Sequence, residues 1–167
     1  ILPYMAPEHE HRSLAFGTTL KVADVYFLAD TTGSMDFAIT NVSSSLSGTI
    51  VPALRSTIPN VQMGVGNFTD MPCCGHGDSG DQPYFHQQNI TADDSLVQDA
   101  LDLICTDPHP WGSGADWEES YAVALFLTAT GLGFSDCSAS VPAQVCAAFP
   151  DEIGPRRGYP CFRPDAL

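Results

Sequence analysis

The sequence predicts a doubly wound α/β sheet flanked by helices, on three observations. Val22 to Ala29 is a short, almost wholly apolar run that ends on Asp30, the pattern of a strand buried on both faces of a parallel sheet. Beyond the turn Thr31-Thr32-Gly33-Ser34, apolar residues recur at Ile39, Val42, Leu46, Ile50, Leu54 and Ile58, one face of an amphipathic helix. A second apolar run, Val61 to Phe68, follows. Strand, helix and strand in succession are the unit from which such sheets are built.

The elements follow in order. Residues 1–20, with Pro3, Pro7 and the His9-Glu10-His11 cluster, read as an irregular lead-in, and residues 21–167 as the domain. Pro59-Asn60 ends the first helix. Gly64 and Gly66 in the second strand predict close approach of a neighbouring backbone. A loop rich in Gly, Asp, Pro and Cys runs from Met71 to Pro83, and Tyr84 to Ile90 reads as a short edge strand. Asp94 to Ile104 carries helical spacing at Leu96, Val97, Ala100, Leu101 and Ile104. After a second loop, Thr106 to Asp116, helical pattern returns over Trp117 to Thr130, and a Pro- and Cys-bearing tail closes the chain. An open sheet of this kind calls for another central strand after the last helix. None is present, so the expectation is an N-terminal portion of a larger domain, completed by a further segment or by another chain.

Composition narrows the function. The 167 residues carry 6 Lys+Arg against 20 Asp+Glu, a formal charge of −14, which repels nucleic acid and anionic lipid and favours cations or basic partners. The apolar stretch Tyr121 to Phe134 is shorter than the roughly 20 residues of a membrane span. Six cysteines (Cys73, Cys74, Cys105, Cys137, Cys146, Cys161) without a CxxC pair point to disulfides in an oxidising compartment. Sequence proximity suggests Cys137 with Cys146, Cys73 or Cys74 with Cys105, and Cys161 with the one left over. Asn41, Asn67 and Asn89 lie in N-x-Ser/Thr sequons, for which chance is a fair explanation in a chain rich in Ser and Thr.

Asp30-Thr31-Thr32-Gly33-Ser34 places an acid and two hydroxyls at alternate positions directly after an apolar strand, where open α/β sheets bind ligands. Carboxylate and hydroxyl oxygens are hard ligands suited to Mg²⁺, Mn²⁺ or Ca²⁺. Asp116, Glu118 and Glu119 form a second acidic cluster before a helix. The plain alternative is a helix N-terminus capped by the acid and hydroxyls. No G-x-S-x-G, HExxH or P-loop run occurs, and Asp30 is separated from Gly33 by one residue too many for an aspartic-protease motif.

At these residues the chain resembles the von Willebrand factor A family, and within it the I-like domain of integrin β subunits. Asp30-x-Thr32-x-Ser34 is similar to that family's metal-ion-dependent adhesion site (MIDAS). Gly64-Val65-Gly66-Asn67-Phe68-Thr69-Asp70 resembles the run G-x-G-x-F-x-D, and Tyr84 to Thr91 the edge strand after it. Gly114-Ala115-Asp116-Trp117-Glu118-Glu119 aligns with N-x-D-x-P-E. The resemblance implies that Asp30, Thr32, Ser34 and Glu119 surround a MIDAS cation, Mg²⁺ or Mn²⁺. It implies a neighbouring Ca²⁺ on Asp70, Asp116, Glu119 and the Glu118 carbonyl. In the sequence Trp111 and Trp117 flank the proposed site as candidates for its rim, the alternative being that these loop tryptophans pack against the body. The chain departs from the family at Gly114 and Glu118, which replace Asn and Pro. Asp36-Phe37-Ala38 stands where paired acids are expected, and the aspartate that ends the next central strand is missing.

The implied function is non-enzymatic: an extracellular or cell-surface adhesion domain whose cation is completed by an Asp or Glu carboxylate of a protein partner. The alternatives are an assembly module of a surface filament or layer, with metal serving only stability, and a metal-dependent hydrolase.

Overall fold

In a computed structural model, residues 21–73, 75–106, 114–115, 120–136 and 138–166 are described. The chain is mixed α/β. Strand β1 (Val22–Asp30) leads through a turn into helix α1 (Asp36–Ser45), a π-helical turn (Leu46–Ile50) and helix α2 (Val51–Thr57). Strand β2 (Asn60–Phe68), strand β3 (Phe85–Thr91) and helix α3 (Asp94–Ile104) follow. Helix α4 (Tyr121–Thr130) and a hairpin of β4 (Phe134–Asp136) and β5 (Ala139–Val141) complete the elements.

The first predicted helix is interrupted in its middle by the π turn. Pro52 stands at the start of α2, where its missing N–H and its ring exclude a regular bond to the preceding turn, and the widened turn accommodates it. Ile58 is extended, as the residue before Pro59 must be. Asp93 caps α3 by accepting from the Ser95 N–H at 3.0 Å, and the Ser95 hydroxyl and N–H hold its carboxyl below the usual range. Gly131 ends α4 in the left-handed conformation with φ 69°. A side chain there would also meet the Gly158 backbone at 3.1 Å.

The main sheet has the order β1-β2-β3. β1 and β2 are parallel, in register from Val22 with Asn60 to Asp30 with Phe68. β3 joins antiparallel at the edge, with shifts of register near Val65, so the sheet is mixed. On one face Val61, Met63, Val65, Val97, Leu101 and Ile104 form the larger core, against which Val25, Phe27 and Ala29 pack. The opposite face carries Phe68, Tyr84, Ala124, Leu127, Val141 and Tyr159, with Tyr26 and Leu28 of β1. Gly64 acts as predicted, since a Cβ there would lie 2.7 Å from the Gln88 carbonyl; at Gly66 a Cβ would first collide with a side chain, the Tyr26 hydroxyl, and then meet the Phe85 carbonyl at 3.0 Å. Tyr26 and Tyr84 share a hydroxyl–hydroxyl bond of 2.7 Å. Burial drives the Tyr84 phenol up to about 12 and Tyr26 up as well.

The tail is more ordered than its composition suggests. Beyond the β4–β5 hairpin it recrosses the second face, where Tyr159 packs on the rings of Tyr84 and His86. It ends on Arg163. The Arg163 guanidinium donates from Nε to Asp24 Oδ1 at 2.7 Å, from Nη1 to Asn60 Oδ1 at 2.7 Å and from Nη2 to the Ala23 carbonyl at 2.9 Å. This buried ion pair fixes the tail at the end of the sheet where β1 and β2 begin.

The disulfides correct the pairing suggested by proximity. Cys146 bonds Cys161, not Cys137, because the tail doubles back beside the segment that carries Cys146. Cys105 is a free thiol at the end of α3, so neither Cys73 nor Cys74 pairs with it. Burial and the nearby Asp102 carboxylate raise its pKa. Cys73 is itself disulfide-bonded. Cys74 and Cys137 lie outside the described residues. Among the described residues, no helix is long and apolar enough to cross a membrane.

Candidate metal centre

Parallel pairing brings the carboxyl ends of β1 and β2 side by side, since Asp30 faces Phe68 in the register and the Thr31 N–H donates to the Phe68 carbonyl at 2.9 Å. The turn after β1 is built on Asp30. Its Oδ1 accepts from the Thr32 N–H at 2.9 Å and from the Thr32 hydroxyl at 2.7 Å, a local closure that Asp favours. The Thr32 oxygen keeps its lone pairs. Ser34 is exposed one turn position further on.

These side chains do not cap α1. The helix begins at Asp36 with Met35 at its N-cap and no side-chain capping bond, while the acid and hydroxyl bond each other. The capping alternative therefore leaves the arrangement unexplained.

Sequence reasoning missed the residues that hold the turn in place. Thr31 is fully buried. Its hydroxyl donates to the Phe68 carbonyl at 3.1 Å and accepts from Asn67 Nδ2 at 2.9 Å, and Asn67 Oδ1 accepts from Gln87 Nε2 at 2.7 Å. The three strand ends are thus pinned by one buried network. Asn67 has no exposure, so its sequon is closed to modification in the folded chain. A polar residue inside an otherwise apolar strand was the available signal.

Asp70 lies two residues beyond the end of β2 and is 2% exposed. Its Oδ1 accepts from the Met71 N–H at 2.7 Å and from the Ser120 hydroxyl at 2.9 Å. Among the described residues its Oδ2 is buried without a hydrogen-bond partner. Buried polar atoms are rarely left so, and a carboxylate oxygen is the costliest kind to strand. Ser120 also donates its N–H to the Thr69 carbonyl at 3.4 Å, so the start of α4, next in sequence to Glu119, is tied to the end of β2. Further along the same loops, Asp81 is fully buried. It accepts from the Asp78 N–H at 2.5 Å and the Gly114 N–H at 3.3 Å, which holds the Gly114-Ala115 step on the 71–83 loop.

The structure thus brings Asp30, Thr32, Ser34 and Asp70 to one end of the sheet. Asp116, Glu118, Glu119, Trp111 and Trp117 lie outside the described residues. Among the described residues, no three His, Cys, Asp or Glu side chains come together as a metal-holding group; the donors gathered here are two carboxylates and two hydroxyls. All are hard oxygens, and the stranded Asp70 oxygen is one that a cation would satisfy. No protein-family model matches the chain, and no curated protein sequence matches it.

Proposed function

We infer that the chain is a non-enzymatic, metal-dependent protein-binding domain of the von Willebrand factor A type, working outside the cell. The observation that carries this reading is the buried Oδ2 of Asp70, unpartnered among the described residues, at the same end of the sheet as the Asp30–Thr32–Ser34 turn. In this reading Asp30, Thr32 and Ser34, with Glu119, hold Mg²⁺ or Mn²⁺. Asp70 and Asp116, with Glu119 and the Glu118 carbonyl, hold a neighbouring Ca²⁺. The bound cation supplies an electrophilic position open to an Asp or Glu carboxylate of a protein partner. The chain's own part is to orient the oxygens: Asp30 locks Thr32, and the Thr31–Asn67–Gln87 network fixes the level of the turn. The Cys146–Cys161 disulfide supports an oxidising location, and the −14 charge supports cation uptake.

Calorimetric titration with Mg²⁺, Mn²⁺ and Ca²⁺ tests the reading. Saturable binding by the native chain is expected, with one ion lost in Asp30→Ala and another in Asp70→Asn. Identical heats in native and both variants, or no binding at millimolar ion, would sink it.

A further inference from the structure

The chain's few positive charges are unevenly placed. Three of its 6 basic residues, Lys21, Arg157 and Arg163, gather at the end of the sheet where β1 and β2 begin. The Lys21 carbonyl accepts from the Asn60 N–H at 3.2 Å, and Asn60 Oδ1 accepts in turn from Arg163. Arg163 is committed to Asp24, as Arg55 is to Asp94 and Arg156 to Glu152. Arg157 is different. Its side chain is exposed and, among the described residues, carries no acid, although acids outnumber bases by 20 to 6.

Arg157 opens onto a pocket of about 440 Å³ that is also lined by Ile153, Pro155, Phe162, Pro164 and Arg163. Ile153 is 93% exposed, the most of any large apolar side chain among the described residues. Arg157 and Phe162 form an antiparallel bridge, exchanging N–H···O bonds of 3.0 and 2.7 Å, which sets their side chains on one face. The Cys146–Cys161 disulfide holds the turn between them, and Arg163 on Asp24 holds its base. Arg156, next in sequence, is kept on Glu152 and over the Phe149 ring.

We propose that this pocket binds a short segment of a partner protein in which a single Asp or Glu stands beside a bulky apolar residue. Charge complementarity selects that occupant. A guanidinium without an acid presents a planar fork that takes a carboxylate through two N–H groups, and the apolar walls receive the neighbouring side chain. The net −14 and the exposed Asp165, between the lining residues Pro164 and Ala166, repel a run of acids or a polyanion. The acid is therefore an isolated one. A hairpin already fixed by a disulfide and an ion pair loses little freedom on binding. The pocket lies at the opposite end of the sheet from Asp30 and uses no metal, so it stands apart from the function proposed above.

Amide NMR titration of the chain in chelator tests it, with the acetylated, amidated peptide Leu-Glu-Phe and its Leu-Gln-Phe counterpart as probes. Saturable shifts at the Ile153, Arg157 and Phe162 amides are expected, with the Glu peptide binding about tenfold or more tighter than the Gln peptide. Arg157→Gln brings the Glu peptide down to the level of the Gln peptide and leaves the Gln peptide unchanged. Arg157 meets the rest of the hairpin through its main chain, so this variant keeps the native melting temperature. Arg157→Lys, which retains the charge without the fork, falls between the two. Equal affinity for both peptides overturns the proposal, as does an Arg157→Gln variant that binds the Glu peptide like the native chain. So do an absence of shifts at millimolar peptide, shifts centred on Thr31 to Ser34, or inorganic phosphate that displaces the Glu peptide at equal concentration.

Discussion

Replacing Arg163 with Met should destabilise the fold more than any other single change in the tail. The guanidinium is the only cation on Asp24 among the described residues, and their side chains are 6% and 2% exposed. Its removal strands a buried carboxylate that retains only the Arg163 main-chain N–H, at 2.6 Å. It also strips a donor from the Ala23 carbonyl and another from Asn60 Oδ1. Breaking a buried pair from one side costs about 3–5 kcal/mol. At roughly 2–4 °C per kcal/mol for a chain of this size, the melting temperature falls by about 6–20 °C. Arg163→Lys recovers little, because an ammonium cannot reach Asp24, Asn60 and the Ala23 carbonyl at once. Thermal and urea unfolding followed by circular dichroism measure the loss. The double variant Asp24→Leu, Arg163→Met removes both charges and should regain most of it. A single variant within about 2 °C of native, or a double variant no better than the single one, would show that the tail is not anchored by this pair.

Three further outcomes are expected. In chelator, Asp70→Asn raises stability by about 1–3 kcal/mol by neutralising a stranded carboxylate oxygen, yet abolishes the Ca²⁺-induced rise in melting temperature; a variant that still responds fully to Ca²⁺ contradicts the assignment. The double variant Cys146→Ser, Cys161→Ser loses about 3 kcal/mol, the closure entropy of a loop this long, read by urea unfolding. Burial depresses the pKa of His86 below 6.5, so the unfolded chain takes up a proton before the folded one does. The stability that His86 contributes is whole above that pH and is lost as the pH falls below it, so His86→Gln should flatten the decline in melting temperature between about pH 7 and 5.

What the sequence made legible is what local pattern controls. β1 was expected over Val22 to Ala29 and forms over Val22–Asp30, and α3 forms over the expected Asp94–Ile104, since each has a clear period and punctuated ends. The antiparallel sense of β3 depends on the course of the 71–83 loop, which no periodicity encodes. The β4–β5 hairpin escaped because Phe134-Ser135-Asp136 is too short and too polar to show alternation. The pairing of Cys146 with Cys161 was obscured because neighbours in sequence compete with partners brought together by a chain that doubles back. Arg163, one arginine between Phe162 and Pro164, carried no local signal at all.

The same division runs through the candidate centre. Asp30, Thr32 and Ser34 could be read from residue type and spacing because one turn contains them. The stranded oxygen of Asp70 could not, because it arises from burial by two other segments. The sheet's two ends are held by different means. Where β1 and β2 begin, Arg163 satisfies a carboxylate, an amide oxygen and a main-chain carbonyl at once. Where they end, hydroxyls and amides satisfy all of the pinned atoms except one carboxylate oxygen of Asp70. Among the described residues a buried arginine stands at one end of the sheet and no basic residue on Asp70; in the proposed function that carboxylate is the one left to a cation from solution. Mutating Asp24 and mutating Asp70 should accordingly shift stability in chelator in opposite directions.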